Sequence, residues 1–274
     1  MILERPTNLA GYAEELASTG QTYFTRERAM EALGISHGAF LDAAARLAKR
    51  GHIFAPRRGF YVITPTRFLK WGAPPPNWYI DAMMEDAGRP YYVALLKAAE
   101  LHGAAHQAVM EFQIVTDRQW KPIRAGRSKI VFYFRKDISA LDVGIERRKT
   151  DTGSMRISSP ALTALDLLRY RQASGGLDHA ASVLNELASR IDPEQLTVLA
   201  PAFERSVVQR LGYVLDRIGS DELATSLHRH VEKGNVPWVE LDPGEATSAI
   251  EEGEPLRDRR WRVIVRRLIE IDEQ

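Results

Sequence analysis

The chain has 274 residues, 45% of them hydrophobic and 27% charged, which is room for two ordinary domains with a core each. No apolar run is long enough to cross a bilayer, and the opening MILERPTNLAGY lacks the apolar block and cleavage site of a secretory signal. The absence of cysteine excludes a disulfide framework and thiolate catalysis, so a cytoplasmic protein with no membrane partner is the expectation.

The formal net charge is +1, yet residues 1–72, 73–110, 111–150 and 151–274 carry +4, −2, +5 and −6. Two basic zones are therefore followed by an acidic remainder, as expected if one part meets a polyanion and another serves a different task.

The most informative stretch is Thr25 to Thr64. In TRERAMEALGIS, Thr25 is a good helix N-cap, Met30 and Leu33 give an inward face, and Gly34 offers the left-handed residue that ends a helix. Ile35 plugs the core beneath the turn, and Ser36 caps a second helix, SHGAFLDAAARLAKRG, ending at Gly51. Its Phe40, Ala44 and Leu47 form one stripe, which leaves His37, Ala39, Asp42, Ala43, Arg46 and Arg50 outward. After Gly51 the period changes. HIFAPRR and GFYVIT, joined through Pro56, Arg57, Arg58 and Gly59, read as a β-hairpin with a cationic tip. Between Asp42 and Asp81 there is no acid, while Arg46, Lys49, Arg50, Arg57, Arg58, Arg67 and Lys70 intervene. Turn chemistry, small outward residues and a basic hairpin agree with one another and favour a winged helix-turn-helix reader of double-stranded DNA over a plain packing unit. In that reading Ser36, His37, Ala39 and Ala43 lie nearest the base edges, and Arg46 reaches a base or a phosphate. Arg57 and Arg58 meet phosphate or the minor groove, and Thr25 with Arg26 offers N–H groups to a phosphate.

WGAPPPNW (71–78) reads as an extended, semi-rigid linker. Beyond it, YIDAMMEDAG and PYYVALLKAAELHGAAH read as helical, with Val93, Leu96 and Leu101 on one face. EFQIVTD, KIVFYFRK, VGIERRKT and MRISSPA read as strands. Arg118, Lys121, Arg124, Arg127 and Lys129 make this region basic; they extend a nucleic-acid footprint, meet a partner, or form only a solvated face. Ser159-Pro160 opens a helix with Leu162, Leu165 and Leu168 inward, and helical periods continue to about His230. In the tail, WVEL and WRVIV flank an acidic loop, and VIVRRLIEI fits strand or helix. The whole reads as an α+β chain. It has an N-terminal winged helix-turn-helix domain over 1–72, a linker at about 71–78, and a C-terminal mixed domain over 79–274 whose small sheet (about 111–158) packs with helices (about 160–232).

The hairpin domain, YYVALLKAAELHG (91–103), SSPALTALDLL (158–168) and QRLGYVLDRIG (209–219), in this order and spacing, resemble the AbiEi-type antitoxins of type IV, phage-abortive-infection toxin–antitoxin systems. The resemblance runs from about Asn8 to Gly219 and is less clear after about Val236. It implies an autorepressor that binds inverted repeats in its own promoter through the winged helix. It also implies a C-terminal domain that counters a nucleotidyltransferase-like toxin, with or without a stable complex. Tyr91, Tyr92, Leu101, His102, Gly103, Leu211, Gly212 and Tyr213 fall in the matching segments and read as fold determinants.

Catalytic signals are weak. His102 and His106 share a helix face by spacing, but no third ligand is evident, and no metal or other cofactor is expected. Asp142 and Glu146 resemble the acidic pair of restriction-type nucleases, but the position of the usual lysine holds Arg148, which stays protonated and cannot readily serve as a base. A non-enzymatic protein is expected. A winged-helix factor that senses a metabolite is the alternative of a different class.

Overall fold

Leu9, Ala13, Phe24, Ala29, Phe40, Ala44, Leu47, Ile53 and Ile63 bury themselves in one apolar cluster, with Tyr12, Leu16, Met30, Leu33, Ile35 and Tyr61 packed on it. The computed structural model describes residues 6–104, 109–232, 236–244 and 255–271. The cluster is built by α1 (Leu9–Ser18), β1 (Tyr23–Thr25), α2 (Arg26–Leu33), α3 (His37–Lys49), β2 (Ile53–Arg57) and β3 (Phe60–Ile63). The strands form an antiparallel sheet in the order β1-β3-β2. Pro56 cannot donate to a ladder and sits in β2, an edge strand, where the register also shifts between Phe54 and Arg57. Neither α1 nor β1 was among the expected elements: β1 is too short to declare a period, whereas α1 carries Leu9, Tyr12, Ala13 and Leu16 at helical spacing and was overlooked.

Then follow α4 (Ile80–Asp86), β4 (Tyr91–Val93), α5 (Leu95–Leu101), β5 (Glu111–Thr116), β6 (Ile123–Ala125), β7 (Ser128–Phe134), β8 (Ile145–Thr150) and β9 (Gly153–Ser158). Five helices come next: α6 (Pro160–Arg169), α7 (Leu177–Leu187), α8 (Pro193–Leu199), α9 (Arg205–Arg217) and α10 (Asp221–Glu232). The short strands β10 (Val239–Glu240), β11 (Leu256–Asp258) and β12 (Val263–Val265) close the list. The chain is α+β, and it divides into two compact units. The first takes in the chain to Tyr91 together with Met110–Arg135 and Arg147–Arg156; the second takes in Tyr92–Val109, Lys136–Glu146 and everything from Ile157.

Two expectations are corrected here. Segment 71–78 is not an extended connection: Thr66–Trp71 and Pro76–Trp78 are 3-10 turns, and Ala73 and Pro76 are buried. The Arg67 guanidinium lies 4.8 Å from the centre of the Phe68 ring and 4.6 Å from that of Trp78, so aromatic and cationic side chains fold the prolines in, and the first unit continues through α4. PYYVALLKAAELHG is not one helix either. Tyr91-Tyr92-Val93 is an aromatic, β-branched run that pairs as a strand, and helix begins only at Leu95, whose φ of +54° turns the chain sharply between the two. Residues 105–108, with His106, lie outside the described residues.

In the first unit β5 pairs parallel with β7 from Glu111↔Lys129 to Thr116↔Phe134, and β6, not anticipated from the sequence, pairs antiparallel with β7. The turn between β8 and β9 closes on Trp78, whose indole N–H donates to Asp151 at 3.2 Å while its carbonyl accepts from the Thr152 hydroxyl at 2.9 Å.

In the second unit β4 lies parallel to β9 with Val93 opposite Ile157. Ser159 caps α6 by accepting from the Leu162 N–H, and residues Ala161 to Leu168 of that helix are all buried. Tyr92 donates to the buried Asp166 at 2.9 Å, and His102 Nε2 rests 2.7 Å from the Ser158 carbonyl. The residues singled out around 91–103 and 158–168 therefore meet in one core. The tail packs on α9: the buried Trp261 indole lies against Gly212 and donates to Asp216, and the Gln209 amide donates to the Pro237 and Trp261 carbonyls at 3.0 Å each. VIVRRLIEI resolves into strand over Val263–Val265.

Gly212 and Gly126 are dictated by close approach. A Cβ at Gly212 would stand 2.1 Å from the Trp261 ring, and one at Gly126, where φ is +58°, would stand 2.1 Å from the Trp71 carbonyl oxygen. Gly212→Ala and Gly126→Ala should each cost about 1–3 kcal/mol through forced displacement of these neighbours; thermal melts matching the parent would show the contacts to be dispensable. Tyr92→Phe should cost about 1–3 kcal/mol in chemical denaturation, because Asp166 loses a buried donor.

Candidate nucleic-acid interface

The start of α2 and its turn into α3 are built from three local choices. The Thr25 hydroxyl accepts from the Arg28 N–H at 3.3 Å, Gly34 takes φ +62° with its N–H on the Met30 carbonyl, and the Ser36 hydroxyl accepts from the Ala39 N–H at 3.3 Å. The rotation of α3 is then set by its apolar stripe. Phe40, Ala44 and Leu47 are buried, Phe40 meets the Tyr61 ring edge-on at 5.3 Å, and Tyr61 stacks on Phe24 at 5.4 Å. Ser36, His37, Ala39, Arg46 and Arg50 are exposed along one helix and its cap. Ala43 departs from the outward set: it flanks the stripe, is half-buried, and packs on the core. Leu41, 43% exposed, and Lys49 join the outward face; neither was named in the outward set, although Lys49 was counted in the acid-free basic run.

Arg26 is engaged by its neighbours. Its guanidinium bonds the Glu27 carboxylate at 2.6 Å and lies 3.3 Å from His37 Nε2, which links the start of α2 to the start of α3. A hydrogen bond from its own backbone N–H, then Arg26, holds the Glu27 carboxyl below the usual carboxylate range, so an ionised acid already occupies the first turn of α2. The Arg26 N–H donates to the Gly59 carbonyl at 2.8 Å, which ties the same helix start to the hairpin tip.

At that tip the two arginines differ. Arg57 pairs with Asp86 of α4 at 2.9 Å, both side chains being more than two-thirds buried. Arg58 is exposed and holds no partner among the described residues. A solvent-touched pair of this kind is worth about 1 kcal/mol or less, so Asp86 shields Arg57 without locking it.

The second basic zone belongs to the same compact unit. Arg118, Lys121, Arg124, Arg127 and Lys129 are all exposed; Lys129 pairs with Glu111 at 2.8 Å, and Arg127 lies 5.0 Å from the centre of the Trp71 ring. Arg147, Arg148 and Lys149 of β8, which sequence reading did not assign to a basic surface, are exposed in this unit too. The unit's segments hold 21 Lys/Arg and 12 Asp/Glu, a net of +9, against 16 and 24, a net of −8, in the other. Chain order hides this separation because the basic strands are inserted between segments of the acidic unit.

Asp142 lies in a 3-10 turn and Glu146 in β8, both exposed, and no group of three or more His, Asp or Glu able to share a metal occurs among the described residues. No helix among them is long and apolar enough to cross a membrane.

No curated protein matches the chain. The crystal structure of the RV2827C protein from Mycobacterium tuberculosis shares the fold, with a TM-score of 0.64 and 15% identity over 95% of this chain and 92% of that one. Residues 92–217 match the family model of the AbiEi antitoxin C-terminal domain, a segment that begins where the second compact unit begins. Over that segment the chain is similar to the AbiEi antitoxin C-terminal domain.

Proposed function

We propose that the protein is a DNA-binding antitoxin that represses its own operon, reading promoter inverted repeats with a winged helix made of α2, α3 and the β2–β3 hairpin. The second unit, which carries the antitoxin domain, counters a nucleotidyltransferase-like toxin. The observation that carries the reading is the parting of charge: +9 in the unit that presents α3, −8 in the unit that carries the family match.

Ser36, His37 and Ala39 sit at the exposed start of α3, where small side chains let a helix approach base edges, with Leu41 offered to a thymine methyl and Arg46 and Arg50 to bases or phosphates. Ala43, half under the core, sets the depth of the helix rather than reading a base. Arg58 is the phosphate contact of the wing, and Arg57 becomes one when phosphate competes with Asp86. With Glu27 at the head of α2, Thr25 and Arg26 brace the two helices more than they receive phosphate. Arg118, Lys121, Arg124, Arg127 and Lys129 extend the footprint electrostatically, since they share the unit. No step of this role is catalytic, and it places the protein in the cytoplasm.

The shielding of Arg57 makes the two wing arginines unequal. Arg58→Ala should lower affinity for every duplex and reduce the slope of log affinity against log salt by about one, Arg57→Ala should change the slope less, and Asp86→Ala should steepen it. Fluorescence anisotropy across a salt series reads all three, and equal slopes for the two alanine variants would remove the wing assignment. Ala39→Glu should abolish preference for the upstream region over scrambled duplex yet still rescue growth when co-expressed with the neighbouring nucleotidyltransferase; loss of rescue along with DNA binding would refute the division of labour.

A further inference from the structure

Arg210 of α9 has only 8% of its surface exposed, a rare state for a guanidinium without a carboxylate bonded to it. Its Nε donates to the Glu240 carbonyl at 2.9 Å, and its two terminal nitrogens have no partner among the described residues, yet they are not among the side-chain atoms sealed from solvent. A second arginine, Arg171, at the start of the 3-10 turn that follows α6, reaches the same segment two residues further on. Arg171 reaches Asp242 through Nε at a long 3.5 Å, while the same Asp242 oxygen accepts from the Gly244 N–H at 3.0 Å, and the Gln172 amide lies alongside Gly244. The two guanidinium groups thus hold one short segment at positions two residues apart, Arg210 at the Glu240 carbonyl and Arg171 at a carboxylate that is already engaged. Burial first, and then the positive charge of Arg171, depress the Arg210 pKa, with Asp242 opposing.

Fastening the tail does not require this charge. Gln209, the preceding residue, ties the Pro237 and Trp261 carbonyls to α9 with a neutral amide. Each guanidinium carries five N–H donors, and with Nε spent each of the two still offers about four. A carboxylate accepts at about four sites in all, so it would leave half of them idle, whereas a phosphate presents three or four oxygens and matches paired arginine forks.

We propose that Arg171 and Arg210, with the Gln172 amide at the rim, form a receptor for a phosphate group on the second unit. The ligand is free phosphate or the phosphate of a nucleotide. This site is independent of the DNA reading, which rests on the first unit.

The test is calorimetric titration of the full chain with inorganic phosphate at constant ionic strength of about 0.15 M, with chloride as the control anion. The parent should bind phosphate, and Arg171→Gln should weaken binding at least tenfold while melting at the parent's temperature in phosphate-free buffer. Arg210→Lys, which keeps the charge and loses the fork, should also weaken it. A parallel titration with a nucleoside triphosphate assigns the source: tighter, Arg171-dependent binding identifies a nucleotide, and binding no tighter than phosphate identifies the free anion. No heat with either probe, or equal affinity in the parent and Arg171→Gln, overturns the proposal. So does an Arg171→Gln chain that melts lower than the parent by the same amount with and without phosphate, since the pair would then be scaffolding alone.

Discussion

The packing of Phe40 against Tyr61, and of Tyr61 against Phe24, decides what the first unit can present to its surroundings. An amphipathic helix has no intrinsic outward face until its apolar stripe is seated. Three buried side chains of α3 fix the rotation of the helix and so select which small and basic residues reach solvent. The Gly34 turn and the Ser36 cap then set where α3 starts, and the bond from Arg26 to Gly59 makes the hairpin tip a neighbour of the start of α2. The surface this unit presents is downstream of those few contacts.

In the second unit the corresponding constraint is the buried meeting of β4 with α6. Tyr92 and Asp166 are separated by 74 positions and joined by one hydrogen bond, with Ser158, Ser159, Thr163 and His102 arranged around the same strand end. Polar groups buried this deeply are stabilising only when satisfied, so they specify the register of strand against helix as strongly as the surrounding leucines fill volume. This explains why the segments that resemble the antitoxin family are apolar and turn-forming: they encode a core. The tail continues that core, because Trp261 needs the missing side chain at Gly212 to lie flat on α9.

Much of the architecture was legible where a local rule has one strong solution. Thr25, Gly34 and Ser36 read correctly as cap, left-handed turn and cap, and Phe40, Ala44 and Leu47 as the buried face. Helices between residues 160 and 232 followed from their period. Legibility failed where a short apolar run fits two periods, as at Tyr91–Val93, and where proline composition suggested extension but aromatic packing folded the chain, as at 71–78. Of the candidate interface, the exposed start of α3 could be read from helical spacing. The pairing of Arg57 with Asp86, and the inclusion of the β8 cations in the same compact unit as the other basic strands, are long-range facts that no local pattern encodes.

The interleaving of the two units also bears on how the molecule comes into being. Synthesis is vectorial, at roughly 5–20 residues per second. The three helices and the hairpin emerge early, but the unit to which they belong gains its last strand residues only when Arg156 has left the ribosome, after parts of the other unit have been made. The apolar core of the amino-terminal module is complete at Ile63, whereas the unit that contains it is complete only at Arg156. A polypeptide interrupted midway yields neither unit whole, so the two units arrive in the cell together and in equal number.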